Sequence, residues 1–232
     1  MWSFLLGRLP WLLLATVLLA SNAVAVPSIR TCPQPFTGNL TAFAYTQAVA
    51  PSWDLDKAMD ADVDGNLSVL STKLDGEKAA GFNSVRIAVD FANHYTTASP
   101  SWEVDDKWLQ RLSDIVDAVT SKGLYAIVSM HHGTDTSAIL GQFQQSWRHI
   151  GFLLTCSSDL VVFETLSEPP ATTTEHDGLL TDLNNQFVVA LAATGGYNSL
   201  RFVILLGPRT DGKWVVPPRY IVNPWAVQYR HS

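Results

Sequence analysis

Two cysteines in 232 residues are too few and too far apart for a zinc knuckle, and they leave room for a single disulfide. Glycine-rich phosphate turns are missing: no G-x-G-x-x-G and no Walker A pattern occurs, which removes the usual mark of a doubly wound nucleotide-binding sheet. There is no G-x-S-x-G elbow either, because Ser129 and Ser167 lack the flanking glycines of a serine hydrolase. Positive charge is scarce. With 15 Lys and Arg against 21 Asp and Glu the net charge is −6, which makes nucleic acid or an anionic membrane surface a poor partner. The apolar run Trp11–Ala20 covers about ten residues, short of the roughly 18 that a membrane-spanning helix needs.

That run reads instead as the centre of a secretory signal over residues 1–25, with Arg8 as its positive flank and Ala23-Val24-Ala25 as a small-residue cleavage site. Residues 26–232 then form the mature domain. Export to an oxidising compartment permits a disulfide between Cys32 and Cys156 and makes Asn39 and Asn66, each in an N-x-S/T sequon, candidates for N-glycosylation. The remaining composition is that of a globular protein: 47% hydrophobic residues suffice for a core, and eight Trp suit either that core or stacking on sugar rings.

Helical and strand patterns alternate along the chain. Leu40–Tyr45 reads as a first strand, in a region where the pattern is otherwise poor. Val69, Leu70, Leu74 and Ala79 form a helical face that Gly81 ends before the strand-like run Phe82–Val89. Val104–Ser121 repeats the event, with Asp105 and Asp106 at its start and Gly123 at its end, ahead of a strand over Leu124–Met130. A third helix carries Phe143, Trp147 and Ile150 and leads to a strand beginning at Val161; a fourth carries Leu180, Leu183, Phe187 and Leu191, stops at Gly195-Gly196 and leads to Phe202–Leu206. Such βα units build either a doubly wound sheet or a (β/α)8 barrel. The missing phosphate turn favours the barrel, with about five or six of its eight units present. Asp60–Gly65 opens like a calcium loop, but Ser71 occupies the position where a bidentate acid is required, so a solvated turn is the expectation.

In a barrel the chemistry collects at the carboxyl ends of the strands. Glu168 stands there, after Val161–Phe163 and before two prolines; half shielded by apolar walls, it is expected to have a raised pKa suited to a general acid. Arg86 lies within an otherwise apolar strand, where a guanidinium is costly to bury without an acid beside it. His131 and His132 end the next strand and can hydrogen-bond a substrate hydroxyl. As metal ligands they fail, since adjacent side chains on a strand end point apart and His149 and His176 do not complete a set. No metal or cofactor is called for.

Taken in order, Gly81–Ile87, Trp108-Leu109, Gly123–Val128, His131-His132, Phe163-Glu164, Glu168-Pro169-Pro170, Gly195–Asn198 and Asn223–Tyr229 resemble the secreted endoglucanases of glycoside hydrolase family 5, the fungal ones especially. The resemblance implies a (β/α)8 barrel and retaining hydrolysis of β-glycosidic bonds in a polysaccharide such as cellulose, by an extracellular enzyme that is monomeric when complete. It also implies Glu168 as the general acid/base and Arg86, His131, His132 and Ser167 around the reacting sugar. Ser167 stands where the family has Asn. The family's nucleophile, a Glu after the seventh strand, has no counterpart before Ser232, so the chain reads as carboxyl-terminally incomplete. The alternatives are a glycan-binding pseudoenzyme and a gene-model fragment.

Overall fold

The computed structural model describes residues 32, 33, 36, 40–55, 59, 67–131, 139–166, 175–206, 209, 210, 213, 214 and 219–222. The sequence pattern at Leu40–Tyr45 misleads: this stretch opens a helix, α1 (Ala42–Val49), not a strand. Thr41 keeps an extended backbone, and its hydroxyl accepts a hydrogen bond from the Ala44 N–H at 3.2 Å, the geometry of a helix N-cap. Tyr45 and Val49, four residues apart, then share the buried side. The strand that follows, β1 (Ser52–Leu55), is four residues long and has only Leu55 fully buried, too weak a pattern to read in advance.

Helix α2 (Leu67–Ala79) buries Leu70 and Leu74 but leaves Val69 exposed, so its inward face is narrower than the periodicity suggests. Gly81, at φ +96°, makes the turn into β2 (Ser84–Val89). Helix α3 (Asp106–Ser121) is capped by Asp105, whose carboxylate accepts from the N–H groups of Lys107 and Trp108. Strand β3 (Tyr125–Met130), helix α4 (Ile139–Leu153), strand β4 (Val161–Glu164) and helix α5 (Glu175–Ala192) continue the alternation. A 3-10 turn over Gly196–Ser199 leads to β5 (Val203–Leu206), the two-residue strands β6 (Arg209–Thr210) and β7 (Lys213–Trp214), and β8 (Arg219–Val222).

Strands β1 to β5 are parallel and lie side by side in sequence order; β8 adds antiparallel to β5. Among the described residues the sheet is open, with β1 at one edge and β8 at the other. Five parallel strands alternating with helices are what an incomplete (β/α)8 barrel presents.

The two faces of this sheet differ. Val85, Ile87 and Val89 of β2, Ala126, Val128 and Met130 of β3, Val161 and Phe163 of β4 and Val203 of β5 point to the helices and join one apolar core with Leu112, Ile115, Trp147 and Phe187. Ile127, Val162 and Ile204 point the other way and form a second, smaller cluster with Tyr45 and Val49 of α1. Helix α1 thus covers the amino-terminal part of the inner face, where the Ser84 hydroxyl also donates to the Val49 carbonyl at 2.7 Å.

The amino-terminal end of the sheet is fastened twice. Cys32 and Cys156 form a disulfide across 124 residues, with Cα atoms 5.3 Å apart. Beside it Arg201, fully buried, donates five hydrogen bonds: Nε to Asn198 Oδ1, Nη1 to the carbonyls of Ser158 and Val161, and Nη2 to those of Leu154 and Ser157. Its guanidinium also lies 5.5 Å from the Phe36 ring centre and 5.4 Å from that of Phe163. Gly196, at φ +56°, passes so close to Thr155 that a Cβ would run into it.

Candidate active site

Side chains alternate along a strand, so Ser84, Arg86 and Ala88 of β2 share the inner face, as do Ser129 of β3 and Glu164 of β4. Ile127, Val162 and Ile204 make the middle of this face apolar, and with Ser129 and Glu164 it becomes polar towards the carboxyl ends. Register places Arg86 between Asp54 and Ile127, and places Ser129 between Ala88 and Glu164. Arg86 reaches obliquely across β3: its Nε donates to Glu164 Oε2 at 2.5 Å while Nη1 donates to Asp54 Oδ1 at 3.3 Å. The Glu164 side chain is 1% exposed, that of Arg86 14% and that of Asp54 62%, so one partner is buried and the other is wet.

This pairing decides the charge of the arginine. Burial works against its ionisation, but Glu164 and then Asp54 more than offset that and hold Arg86 above its ordinary range. Ser129 Oγ is buried with no hydrogen-bond partner among the described residues.

His131 directly follows β3, and its backbone N–H donates to the Val89 carbonyl at 2.8 Å. Its side chain is half-buried and lines a small pocket together with Phe91, Tyr95, Met130, Gln142 and Phe143. Arg86 therefore lies midway along β2 with its guanidinium directed to Glu164 at the carboxyl end of β4, and His131 follows the carboxyl end of the intervening β3. Strand β4 stops at Glu164, earlier than the sequence suggests, and Leu166 beyond it is still buried. His132, Ser167, Glu168, Asn39, Asn66, the 1–25 segment and the Asp60–Gly65 loop lie outside the described residues. Among the described residues no three His, Cys, Asp or Glu side chains come together as metal ligands, and no helix is long and apolar enough to cross a membrane.

Asp54 and Glu164 are site residues that the sequence reading did not single out for a role. For Glu164 the signal was available: an acid closing the run Val161-Val162-Phe163 is as costly to bury alone as Arg86, and each is the other's answer. Asp54 sits on the strand that went unread, and nothing local marks it.

A model of the cellulase family, glycosyl hydrolase family 5, matches residues 63–225, a span that takes in β2 to β8 together with Arg86, His131 and Glu164. The chain belongs to glycosyl hydrolase family 5. Among curated family relatives, endoglucanase A of Paenibacillus barcinonensis is 25% identical over 205 residues, covering 77% of this chain and 51% of the relative. Among solved structures, a broad-specificity endoglucanase from Clostridium acetobutylicum is 29% identical with a TM-score of 0.63, covering 71% of this chain and 56% of that one. Another, from Clostridium cellulovorans, is 26% identical with a TM-score of 0.66, covering 77% and 57% respectively. This family 5 chain thus spans about half the length of the relatives it matches.

Proposed function

We propose that this chain carries catalytic machinery of a secreted β-glucan hydrolase of the endo-β-1,4-glucanase type. Glu168 acts as general acid/base, and Arg86, His131, His132 and Ser167 bind around the reacting sugar. The observation that carries the reading is the polar layer at the carboxyl ends of parallel strands. There Arg86 is held by Glu164 across the strand that His131 directly follows, and Glu168 comes four residues after β4 in the sequence. Retaining hydrolysis needs two carboxyls about 5–5.5 Å apart, one to protonate the leaving oxygen and one to attack the sugar. Glu164 is buried against Arg86, its side chain 1% exposed, so its assigned part is to hold the arginine and not to attack the sugar. The Cys32–Cys156 bridge supports export, since such bonds persist in oxidising compartments; amino-terminal sequencing of the exported chain is expected to begin at Val26.

The test is hydrolysis of carboxymethyl cellulose by the purified chain beside Glu168→Gln. Turnover that the substitution abolishes supports the assignment; turnover that survives it overturns the role of Glu168. A second reading rests on Ser167, which stands where the family carries Asn. A shorter hydroxyl aimed differently forgoes a transition-state contact worth about 3 kcal/mol. A folded chain that binds cello-oligosaccharides without cleaving them favours this reading, a glycan-binding protein.

A further inference from the structure

Among the described residues Trp102 is the non-glycine residue held at positive φ, +46°, a conformation that bulky side chains rarely adopt. Such outliers persist where the surroundings over-determine them, and they concentrate at ligand clamps. The surroundings here are a built hairpin. The Thr96 N–H donates to the Glu103 carbonyl at 2.7 Å, the Glu103 N–H to Thr97 Oγ1 at 2.9 Å and the Asp105 N–H to the His94 carbonyl at 2.8 Å. Tyr95 and Val104 pair across it as an antiparallel bridge.

The hairpin follows β2 at the carboxyl end of the sheet, so it stands beside the candidate active site. The Trp102 indole is half-buried, lies edge-on to the Tyr95 ring with centres 5.5 Å apart, and brings its Nε1 near Gly141 in the first turn of α4. Tyr95 is itself fixed, its hydroxyl sharing a 2.7 Å hydrogen bond with Ser146 of α4. Tyr95 and Gln142, the neighbour of Gly141, both line the pocket that holds His131. Trp102 therefore stands one aromatic ring outward from His131, braced from two sides and only partly exposed to solvent.

We infer that Trp102 is a platform for a pyranose ring of the glucan chain, about one sugar beyond the unit held at His131, and that it sets the preference for longer oligosaccharides. The chemistry fits a neutral sugar: a rigid indole covers the apolar C–H face of the ring at little entropic cost and leaves the equatorial hydroxyls in water. This assignment rests on the proposed glucan-binding function.

Calorimetric titration of the full chain with cellotriose and with cellohexaose tests it, using wild type, Trp102→Phe and Trp102→Ala, with thermal melts alongside. Wild type is expected to bind the hexamer more tightly than the trimer. Trp102→Ala is expected to lose roughly tenfold or more in hexamer affinity with little change for the trimer, and Trp102→Phe to keep an intermediate preference. Trp102→Ala with both affinities unchanged, whatever its melting temperature, overturns the platform and leaves the proposed function standing. Equal loss for both ligands overturns the chain-length role. A wild-type chain that binds neither ligand overturns the proposed function and this assignment with it.

Discussion

Two arginines are withdrawn from water at opposite ends of the same sheet, and they are neutralised in different ways. Arg201, at the amino-terminal end, has no carboxylate among its hydrogen-bond partners; it is solvated by four backbone carbonyls and an amide oxygen, and burial pushes its guanidinium down to about 10. Arg86, at the carboxyl end, faces two side-chain carboxylates and is held above its ordinary range. Backbone oxygens belonging to β4 and the turns around it cannot move without dismantling the fold, so Arg201 acts as a staple. Side-chain carboxylates can turn, exchange partners or meet a ligand, so Arg86 belongs to an adaptable site. The contrast teaches that a buried charge is not a functional signal by itself; the nature of its counter-groups is.

The comparison can be broken first at its rigid end. Arg201→Met is expected to be the most damaging single change, about 4 kcal/mol in equilibrium urea unfolding, because it strands several buried carbonyls at once. A loss under 1 kcal/mol would remove Arg201 from the list of staples. Next is the bond beside it: Cys32→Ser with Cys156→Ser is expected to lower stability by about 3 kcal/mol, because a closed loop spanning 124 residues is released in the unfolded chain. A reducing agent should reproduce that shift in the wild type and leave the double variant unchanged.

At the adaptable end the expected stability effects are smaller. Glu164→Gln leaves Arg86 with the exposed Asp54 and is expected to cost about 2 kcal/mol. Adding Arg86→Met should then recover part of that loss, because a largely buried charge that has lost its buried counter-ion is gone. Simple additivity in this double-mutant cycle would mean that the pair is not energetically coupled. The smallest effect concerns Tyr45, whose pKa is raised, chiefly by burial. Its contribution is fully present below the unfolded value of 10.0 and is lost as pH climbs above that towards the folded value. Tyr45→Phe forfeits the 2.9 Å hydrogen bond to the Asp159 carbonyl, about 1 kcal/mol at neutral pH. Above pH 10 it should lose less than the wild type, so that melting curves of the two proteins converge.

The βα alternation was legible in the sequence because two strong local signals agree. Amphipathic faces such as Leu112, Ile115, Val116 and Val119 coincide with stops at Gly123 and Gly81, whose positive φ values only glycine tolerates readily. The amino-terminal stretch was not legible. Leu40–Tyr45 is a short, mostly apolar run with no clear period, and its part from Ala42 onward forms a helix, since Thr41 caps it and tertiary contacts at Tyr45 and Val49 decide the outcome. At the site, the need of Arg86 for an acid was legible, but which acid was not, because Glu164 is its neighbour only through the curvature and register of the sheet. Arg201, between Leu200 and Phe202, gave the same signal as Arg86 and was passed over. Sequence alone cannot distinguish an arginine that will meet carbonyls from one that will meet carboxylates.

The Cys32–Cys156 bridge also imposes an order in time. At about 5–20 residues per second of synthesis, its second sulfur emerges roughly 6–25 s after the first. Through that interval Cys32 is a lone thiol on a growing chain, open to capture by any other disulfide it meets. Its correct closure requires the turn before β4 to have arrived beside the amino terminus. Oxidation of this pair is thus a timestamp on assembly, readable by pulse-chase with a thiol-blocking reagent.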